Sequence, residues 1–151
     1  METHPVTGDI WAHEHGPKGG DELNRIIAGQ NYGWPTLTYG VNYSGTTITS
    51  ETQRPDMVSP VVYWVPSIAP SGMAFVNSDR YPEWQNNLLV GSLKFQQLHR
   101  LEMSDGKVTH EEVLLDGVGR VRAVEQGNDG YMYVVVETGG RILRLNPSMT
   151  E

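Results

Sequence analysis

Residues 120–145 read RVRAVEQGNDGYMYVVVETGGRILRL, and this stretch decides the fold of the chain. Three runs rich in Val, Tyr, Ile and Leu follow one another, separated by turns at residues 127–130 (GNDG) and 139–140 (GG). Short β-type runs bounded by Gly, Asn and Asp are typical of antiparallel strands joined by tight turns. No stretch of useful length has the apolar period of a helix. The segment therefore predicts three antiparallel strands.

The preceding segment repeats the same plan. Residues 73–115 contain four short apolar runs with polar turns between them, and both units contain an Arg-Leu step, at residues 98–101 and 143–145. A repeat of roughly 40 to 50 residues built from short antiparallel strands is typical of a propeller blade. We therefore predict an all-β fold, a partial β-propeller of about two to three blades of four-stranded antiparallel sheets. The expected arrangement is a single incomplete propeller domain, 1–151, with approximate blades at 1–58, 59–117 and 118–147.

Composition narrows the class of protein and its partners. Of the 151 residues 38% are hydrophobic, and 17 Gly and 9 Pro suit a turn-rich all-β domain with its own core. The formal charge of −7 argues against nucleic acid or an anionic membrane as a partner. The absence of cysteine excludes disulfides and thiolate metal sites. No apolar run approaches the ~20 residues of a membrane span, and residues 1–5 lack the features of a signal peptide.

A second informative stretch is the loop at residues 15–24, HGPKGGDELN. Gly16 and Pro17 can present backbone carbonyl oxygens to one ion, because proline fixes the turn and has no N–H to compete. Asp21 and Glu22 can supply carboxylates to a second ion. Since Ca²⁺ prefers such hard oxygen donors, these four residues are the predicted metal ligands. For an arbitrary Asp-Glu pair, a solvated acidic turn is the competing interpretation.

Three cations lie in or at the start of apolar runs, where long charged side chains are costly without partners: Lys94, Arg120 and Arg122. The two arginines are two residues apart, so on a strand they face the same way. Three such cations could converge on a ligand with several carboxylates, which the arginine fork suits. The alternative is that each arginine pairs with a local acid such as Asp116 or Glu125.

These motifs together resemble the glucose/sorbosone dehydrogenase family, the soluble sugar dehydrogenases that use pyrroloquinoline quinone (PQQ) and calcium. The resemblance spans nearly the whole chain, and its specific motifs are EHGP at residues 14–17, NYGWP at 31–35, GSLK at 91–94 and Arg-x-Arg at 120–122. It implies that Lys94, Arg120 and Arg122 bind the cofactor. The family's usual Asp after the second Arg is Ala123 here, which leaves the orientation of Arg122 open.

Residues 63–72, YWVPSIAPSG, form another family-like string. The resemblance implies that aromatic residues here line the sugar and cofactor cleft, so Tyr63 and Trp64 are the candidate substrate residues. An aromatic pair at a strand end is also common in a core, and this alternative stays open.

The histidines carry weaker signals. His13 and His15 share a face if they lie on a strand, which allows a transition-metal pair, hydrogen-bonded histidines or, for His15, a place at the rim of the cofactor pocket. A solvated surface is the expectation for His99, His110 and the acidic pair at residues 111–112.

The resemblance implies a six-bladed β-propeller that oxidises an aldose sugar at its anomeric carbon to the lactone and passes electrons to an external acceptor. It also implies a periplasmic or extracellular location. The sequence contains no counterpart of the family's catalytic histidine motif, so the chain is expected to be a C-terminal fragment that is inactive alone. Because an open stack of blades exposes sheet edges, self-association is a further expectation. The alternative function is a non-enzymatic propeller module that binds protein or carbohydrate.

Overall fold

The computed structural model describes residues 1–147, and eleven β-strands and one short 3-10 helix, η1, account for their regular structure. No helix in this part of the chain is long and apolar enough to cross a membrane. The elements are β1 (Glu2–Thr3), β2 (Ile10–Glu14), β3 (Asp21–Ile26), β4 (Val62–Trp64), β5 (Pro70–Phe75), η1 (Pro82–Trp84), β6 (Leu88–Ser92), β7 (Gln97–Ser104), β8 (Lys107–Leu115), β9 (Val121–Gln126), β10 (Met132–Val136) and β11 (Arg141–Arg144).

The chain divides into two compact units. The first comprises Met1 and residues 9–70, and the second comprises residues 2–8 together with the chain from Ser71 onward. Each unit is described separately below.

In the first unit, β2, β3 and β4 form adjacent antiparallel strands. β4 pairs with β3, so this strand belongs with the preceding sheet and not with the segment that follows it. The core of the unit is built from large apolar side chains of the strands and of the long connection after β3: Trp11, Leu23, Leu37, Trp64 and Ile68.

In the second unit, β5 to β8 form a four-stranded sheet in chain order, and β9 to β11 form a three-stranded antiparallel sheet. These sheets confirm the predicted four-strand and three-strand repeats. In β10 buried and partly exposed residues alternate, as the two-residue period of a strand requires. The shared core collects one side of each sheet and includes Leu89, Leu98, Val121, Val124 and Val134.

Two glycines allow the strands of the second unit to approach closely. A Cβ atom on Gly72 would lie 2.4 Å from Ala123 Cα, and one on Gly91 would lie 2.4 Å from a methyl group of Val121. β9 therefore packs against both β5 and β6 at van der Waals distance.

Candidate functional site

The loop between β2 and β3 is held by Asp21, which is buried at 1% exposure. Its Oδ1 accepts hydrogen bonds from Gly16 N and Ser67 Oγ, both at 2.8 Å, and its Oδ2 accepts one from Ala69 N at 2.7 Å. Three donors therefore hold this carboxylate, and in this arrangement Asp21 organises the loop from inside.

Glycine is required twice in the same loop. A Cβ atom on Gly16 would lie 2.1 Å from Gly19 O, and one on Gly20 would lie 2.6 Å from Gly40 N. Gly20 also has a φ of +75°, a region that residues with a side chain rarely adopt. The loop is thus a tightly packed backbone structure.

Two glutamates meet beside this loop. Glu14 on β2 and Glu22 on β3 are directly paired in the antiparallel register. Asn24 Nδ2 donates to both carboxyl groups, at 3.0 Å to Glu14 and 3.3 Å to Glu22. Asn24 Oδ1 is itself buried without a hydrogen-bond partner among the described residues. One amide thus joins two acidic side chains.

The pKa of Glu22 is raised from its ordinary value. Burial, together with the proximity of Glu14, raises the pKa of Glu22 to about 7 against the opposing hydrogen bond from Asn24. Two carboxylates this close disfavour ionisation of both. A bound cation would remove that penalty, because a coordinated carboxylate must be ionised.

A cavity of about 130 Å³ opens at this pair. It is lined by Glu14, His15, Gly16, Gly20, Glu22, Tyr32, Trp34, Leu37 and Thr38. Of the four predicted metal ligands, the structure brings Gly16 and Glu22 to this cavity, while Asp21 is turned to the donors named above. Among residues 1–147, no group of three or more His, Asp or Glu side chains is arranged to hold a metal by itself.

The donor chemistry of the cavity nevertheless fits calcium. The carboxyl groups of Glu14 and Glu22 at the cavity are hard oxygen ligands of the kind that Ca²⁺ takes, and this ion completes its shell with carbonyl oxygens and water. Sequence reasoning missed Glu14 as a partner of Glu22, since the two residues meet only through the strand register. Glu14 is the first residue of the motif EHGP at residues 14–17, and this position in the motif was the sequence feature that could have identified it.

His15 lies at the rim of this cavity. Its Nε2 donates to Pro70 O at 2.6 Å, which supports the interpretation as a hydrogen-bonded histidine.

In the second unit, Arg120 and Arg122 project toward one acid. Glu137 Oε2 accepts from Arg122 Nη2 and also from Arg120 Nε, at 3.5 Å. The expectation that the two arginines face the same way is therefore confirmed. Both arginines pair with an acid, as in the alternative interpretation, but the named candidates were wrong, because the acid is Glu137 and not Asp116 or Glu125. Glu137 follows β10, fifteen residues after Arg122, so only strand pairing brings it there.

Lys94 lies in the turn between β6 and β7, exposed to solvent, with Nζ 5.2 Å from the centre of the Phe95 ring. The expectation that it lies within a strand was wrong, because β6 ends at Ser92. Gln96 O in the same turn accepts a hydrogen bond from Val118 N at 3.1 Å. This bond ties the Lys94 turn to the segment that leads into Arg120.

Tyr63 and Trp64 point to opposite sides of β4. Trp64 is buried at 7% exposure and belongs to the core, whereas Tyr63 is 48% exposed. Tyr63 stacks on Tyr39, with ring centroids 3.6 Å apart and planes within 5° of each other. The pair forms an exposed aromatic platform, and the sequence did not indicate Tyr39.

The solvated surface predicted around His99 was wrong for His99 itself. It is 6% exposed, and its Nδ1 lies 2.8 Å from Glu111 Oε1. Next to it, Arg100 is buried and donates to Glu112 at 2.6 Å and to Glu102 at 2.7 Å. The contacts with Glu111 and Glu112 join β7 to β8, whereas Glu102 lies on β7 itself.

Antiparallel sheets of four and three strands, repeated along the chain, define a partial β-propeller, as predicted. The family model described as glucose/sorbosone dehydrogenase matches residues 1–144, and the chain belongs to this family.

Known proteins that resemble the chain agree with this assignment. The chain is 42% identical to an aldose sugar dehydrogenase of Escherichia coli, over 97% of its own length and 41% of that protein. A crystal structure of a glucose dehydrogenase superposes with a TM-score of 0.90 at 44% identity, over 95% of this chain and 43% of that one. The PQQ-bound form of an aldose sugar dehydrogenase from Streptomyces coelicolor superposes with a TM-score of 0.71 at 24% identity, over 95% and 41%. The chain thus spans about two fifths of the length of these proteins.

Proposed function

We propose that this chain carries the calcium and cofactor contacts of a PQQ-dependent aldose dehydrogenase. The observation that carries the proposal is the pair of guanidinium groups at Arg120 and Arg122, which are held side by side and exposed to solvent. Family membership and the PQQ-bound relative support the choice of ligand.

The cofactor residues are Lys94, Arg120 and Arg122. PQQ carries three carboxylates, and guanidinium forks bind carboxylates through two parallel hydrogen bonds. The hydrogen bond between Gln96 O and Val118 N keeps the Lys94 turn close to the arginine segment. In a chain of net charge −7, these cations provide local attraction for a polyanion.

The metal residues are Gly16, Pro17, Asp21 and Glu22, for which Ca²⁺ is the proposed ion. Glu22 provides a carboxylate at the cavity, which Gly16 also lines, and Asp21 keeps the loop in shape through its three hydrogen bonds. The carbonyl oxygens of Gly16 and Pro17 are the further ligands that we propose. When bound, PQQ would supply an electron acceptor for the sugar, and calcium would supply a Lewis acid.

The substrate class is an aldose, oxidised at its anomeric carbon to the lactone with transfer of electrons to an external acceptor. Tyr63, supported by Tyr39, offers the apolar face that a sugar ring needs, whereas Trp64 contributes only packing. The location that we propose is periplasmic or extracellular, as is usual for the family. The proposed organisation is one incomplete propeller domain.

The isolated chain is proposed to bind PQQ without turnover, because its sequence contains no counterpart of the family's catalytic histidine motif. A titration of the chain with PQQ and Ca²⁺, followed by absorbance, measures binding. Reduction of a dye in the presence of glucose and other aldoses measures turnover. Binding without dye reduction is expected, and dye reduction by the purified chain would contradict this part of the proposal.

Matched variants test the site assignment. Arg122→Gln and Lys94→Gln are each expected to weaken PQQ binding by about tenfold or more, since each removes one charged hydrogen-bond partner. Arg54→Gln is the control, because Arg54 is an exposed arginine paired with Asp56 in the other unit. Equal affinities in all three variants, or no PQQ binding by the parent chain, would overturn the proposal. Binding of a protein or polysaccharide partner without PQQ would favour the non-enzymatic propeller.

A further inference from the structure

Arg122 occupies a β-bulge. In the pairing of β9 with β10, Val135 lies opposite Ala123 and Val136 lies opposite Val121, so Arg122 has no partner in the register. The burial pattern of β9 also indicates an extra residue. Val121 and Val124 are both buried, although residues three apart would lie on opposite faces of a regular strand. A bulge of this kind re-aims a side chain, and bulges are frequent next to active sites.

The re-aimed arginine meets a single carboxylate oxygen. Glu137 Oε2 accepts from Arg122 Nη2 and from Arg120 Nε, so one atom holds two guanidinium groups together. The backbone reinforces this arrangement, since Glu137 N donates to Arg120 O at 2.8 Å and Arg120 N donates to Thr138 Oγ1 at 3.1 Å. The acid and the first arginine are thus fixed to each other at both main chain and side chain.

We propose that Glu137 is a positioning residue that aligns Arg120 and Arg122 for the carboxylates of the cofactor, an inference that rests on the proposed function. The position after Arg122 holds Ala123 and cannot supply an acid for this purpose. Glu137 supplies the carboxylate from the neighbouring strand instead, and the bulge turns Arg122 toward it.

Glu137 can affect PQQ binding in two opposite ways, by aligning the arginines or by competing with the cofactor for them. A shared carboxylate restricts two long side chains before the cofactor arrives, which lowers the entropy cost of binding. The same negative charge also repels a polyanion and competes for the guanidinium groups. If alignment dominates, a shorter acid weakens binding; if competition dominates, removing the charge strengthens binding.

The variants Glu137→Asp and Glu137→Gln distinguish these effects. Aspartate keeps the charge but loses one methylene of reach, so it cannot bond both arginines, and PQQ affinity is expected to fall about tenfold. Glutamine keeps the reach and one acceptor oxygen, and its affinity is expected to stay within about threefold of the parent chain. The control is Glu125→Asp, the same chemical change at an exposed acid of β9.

A second readout does not need the cofactor. In the full 151-residue chain, the Nε–Hε NMR signals of Arg120 and Arg122 are expected to be dispersed, and to move to values of free arginine in Glu137→Asp but not in Glu125→Asp. Far-UV circular dichroism checks that each variant is folded, which is expected because Glu137 is exposed.

Different results would overturn the positioning role of Glu137 and the proposed binding of PQQ. Unchanged arginine signals, unchanged PQQ affinity in Glu137→Asp, or tighter binding by Glu137→Gln would each overturn the positioning role. If the parent chain does not bind PQQ while Glu137→Asp still releases both arginine signals, the proposed function fails and the alignment of the arginines stands.

Discussion

Glu14 and Glu22 lie opposite each other on β2 and β3, and a single amide group, that of Asn24, donates to both carboxyl groups. Like charges in direct opposition are destabilising on a sheet, so this pair costs stability whenever both groups are ionised. Ionisable groups that perturb each other in a cavity are common at functional sites. The pair therefore links the folding of the first unit to pH.

The first prediction concerns the pH dependence of this pair without calcium. The pKa of Glu22 is raised from 4.5 to about 7, so the folded state binds this proton more tightly than the unfolded state. The resulting stabilisation is present below the unfolded value and is lost as the pH rises through about 7. Glu22→Gln mimics the protonated form, so at pH 8 it should raise the free energy of unfolding by on the order of 3 kcal/mol.

Urea unfolding of the parent chain and of Glu22→Gln at pH 5 and pH 8 measures this effect. The gain should be present at pH 8 and small at pH 5, and Glu83→Gln, at an exposed acid, should show neither change. Saturating Ca²⁺ should reverse the order at pH 8, because the ion needs the ionised carboxylate. A Glu22→Gln gain that is equal at both pH values would contradict the shifted pKa.

The second prediction concerns Asp21. In Asp21→Asn an NH₂ group replaces one acceptor that now receives hydrogen bonds, so the unfolding free energy should fall by about 3 kcal/mol. The control, Asp9→Asn, weakens the partly exposed pair with Arg25 and should cost at most about 1 kcal/mol. Equal losses in the two variants, measured by urea unfolding, would show that the Asp21 contacts do not hold the loop.

The third prediction separates the two aromatic residues of β4. Trp64→Ala removes a core side chain and should cost about 3 to 5 kcal/mol of unfolding free energy. Tyr63→Ala removes an exposed ring stacked on Tyr39 and should cost about 0.5 to 1.5 kcal/mol. Thermal and urea unfolding of both variants checks the order, and a larger loss in Tyr63→Ala would contradict the assignment of Trp64 to the core.

The fourth prediction concerns the close approach of β5 and β9. A methyl group on Gly72 would lie 2.4 Å from both Ala123 Cα and Val124 N, which are main-chain atoms that cannot move aside. Gly72→Ala should therefore cost about 3 kcal/mol or more. Gly29→Ala is the comparison, because its Cβ would meet open space and only its φ of +76° opposes the change, at about 1 to 2 kcal/mol. If Gly29→Ala were the more destabilising of the two in urea, the strands would not pack as described.

Much of the fold could be predicted because its signals are local. The apolar run of β10 consists of residues that favour strands, and GNDG at residues 127–130 supplies the turn before it. Such patterns act over a few neighbouring residues, so they can be recognised without knowing what lies across the sheet. The pairing of β4 with β3 was not foreseen, since thirty-five residues with little regular structure separate the two strands.

The candidate site was predictable in its residue types and less so in its geometry. The motifs at residues 14–24 and 120–122 identified the oxygen donors and the cations. They could not indicate that Asp21 turns inward to Ser67 and Ala69, because those donors are more than forty residues away in sequence. The burial of His99 was likewise decided by the strands on either side of it, not by its neighbours in the chain.

The sequence by itself determined an all-β repeat, a loop rich in oxygen donors, and a pair of arginines with the same orientation. Only the tertiary structure decided that Glu137 holds those arginines and that Glu14 faces Glu22. The physical reason is that strand register and the bulge at Arg122 follow from side-chain packing across the sheet, where buried residues such as Val121 and Val124 must reach one core. Long-range packing thus brought the charged groups together, and local sequence supplied them.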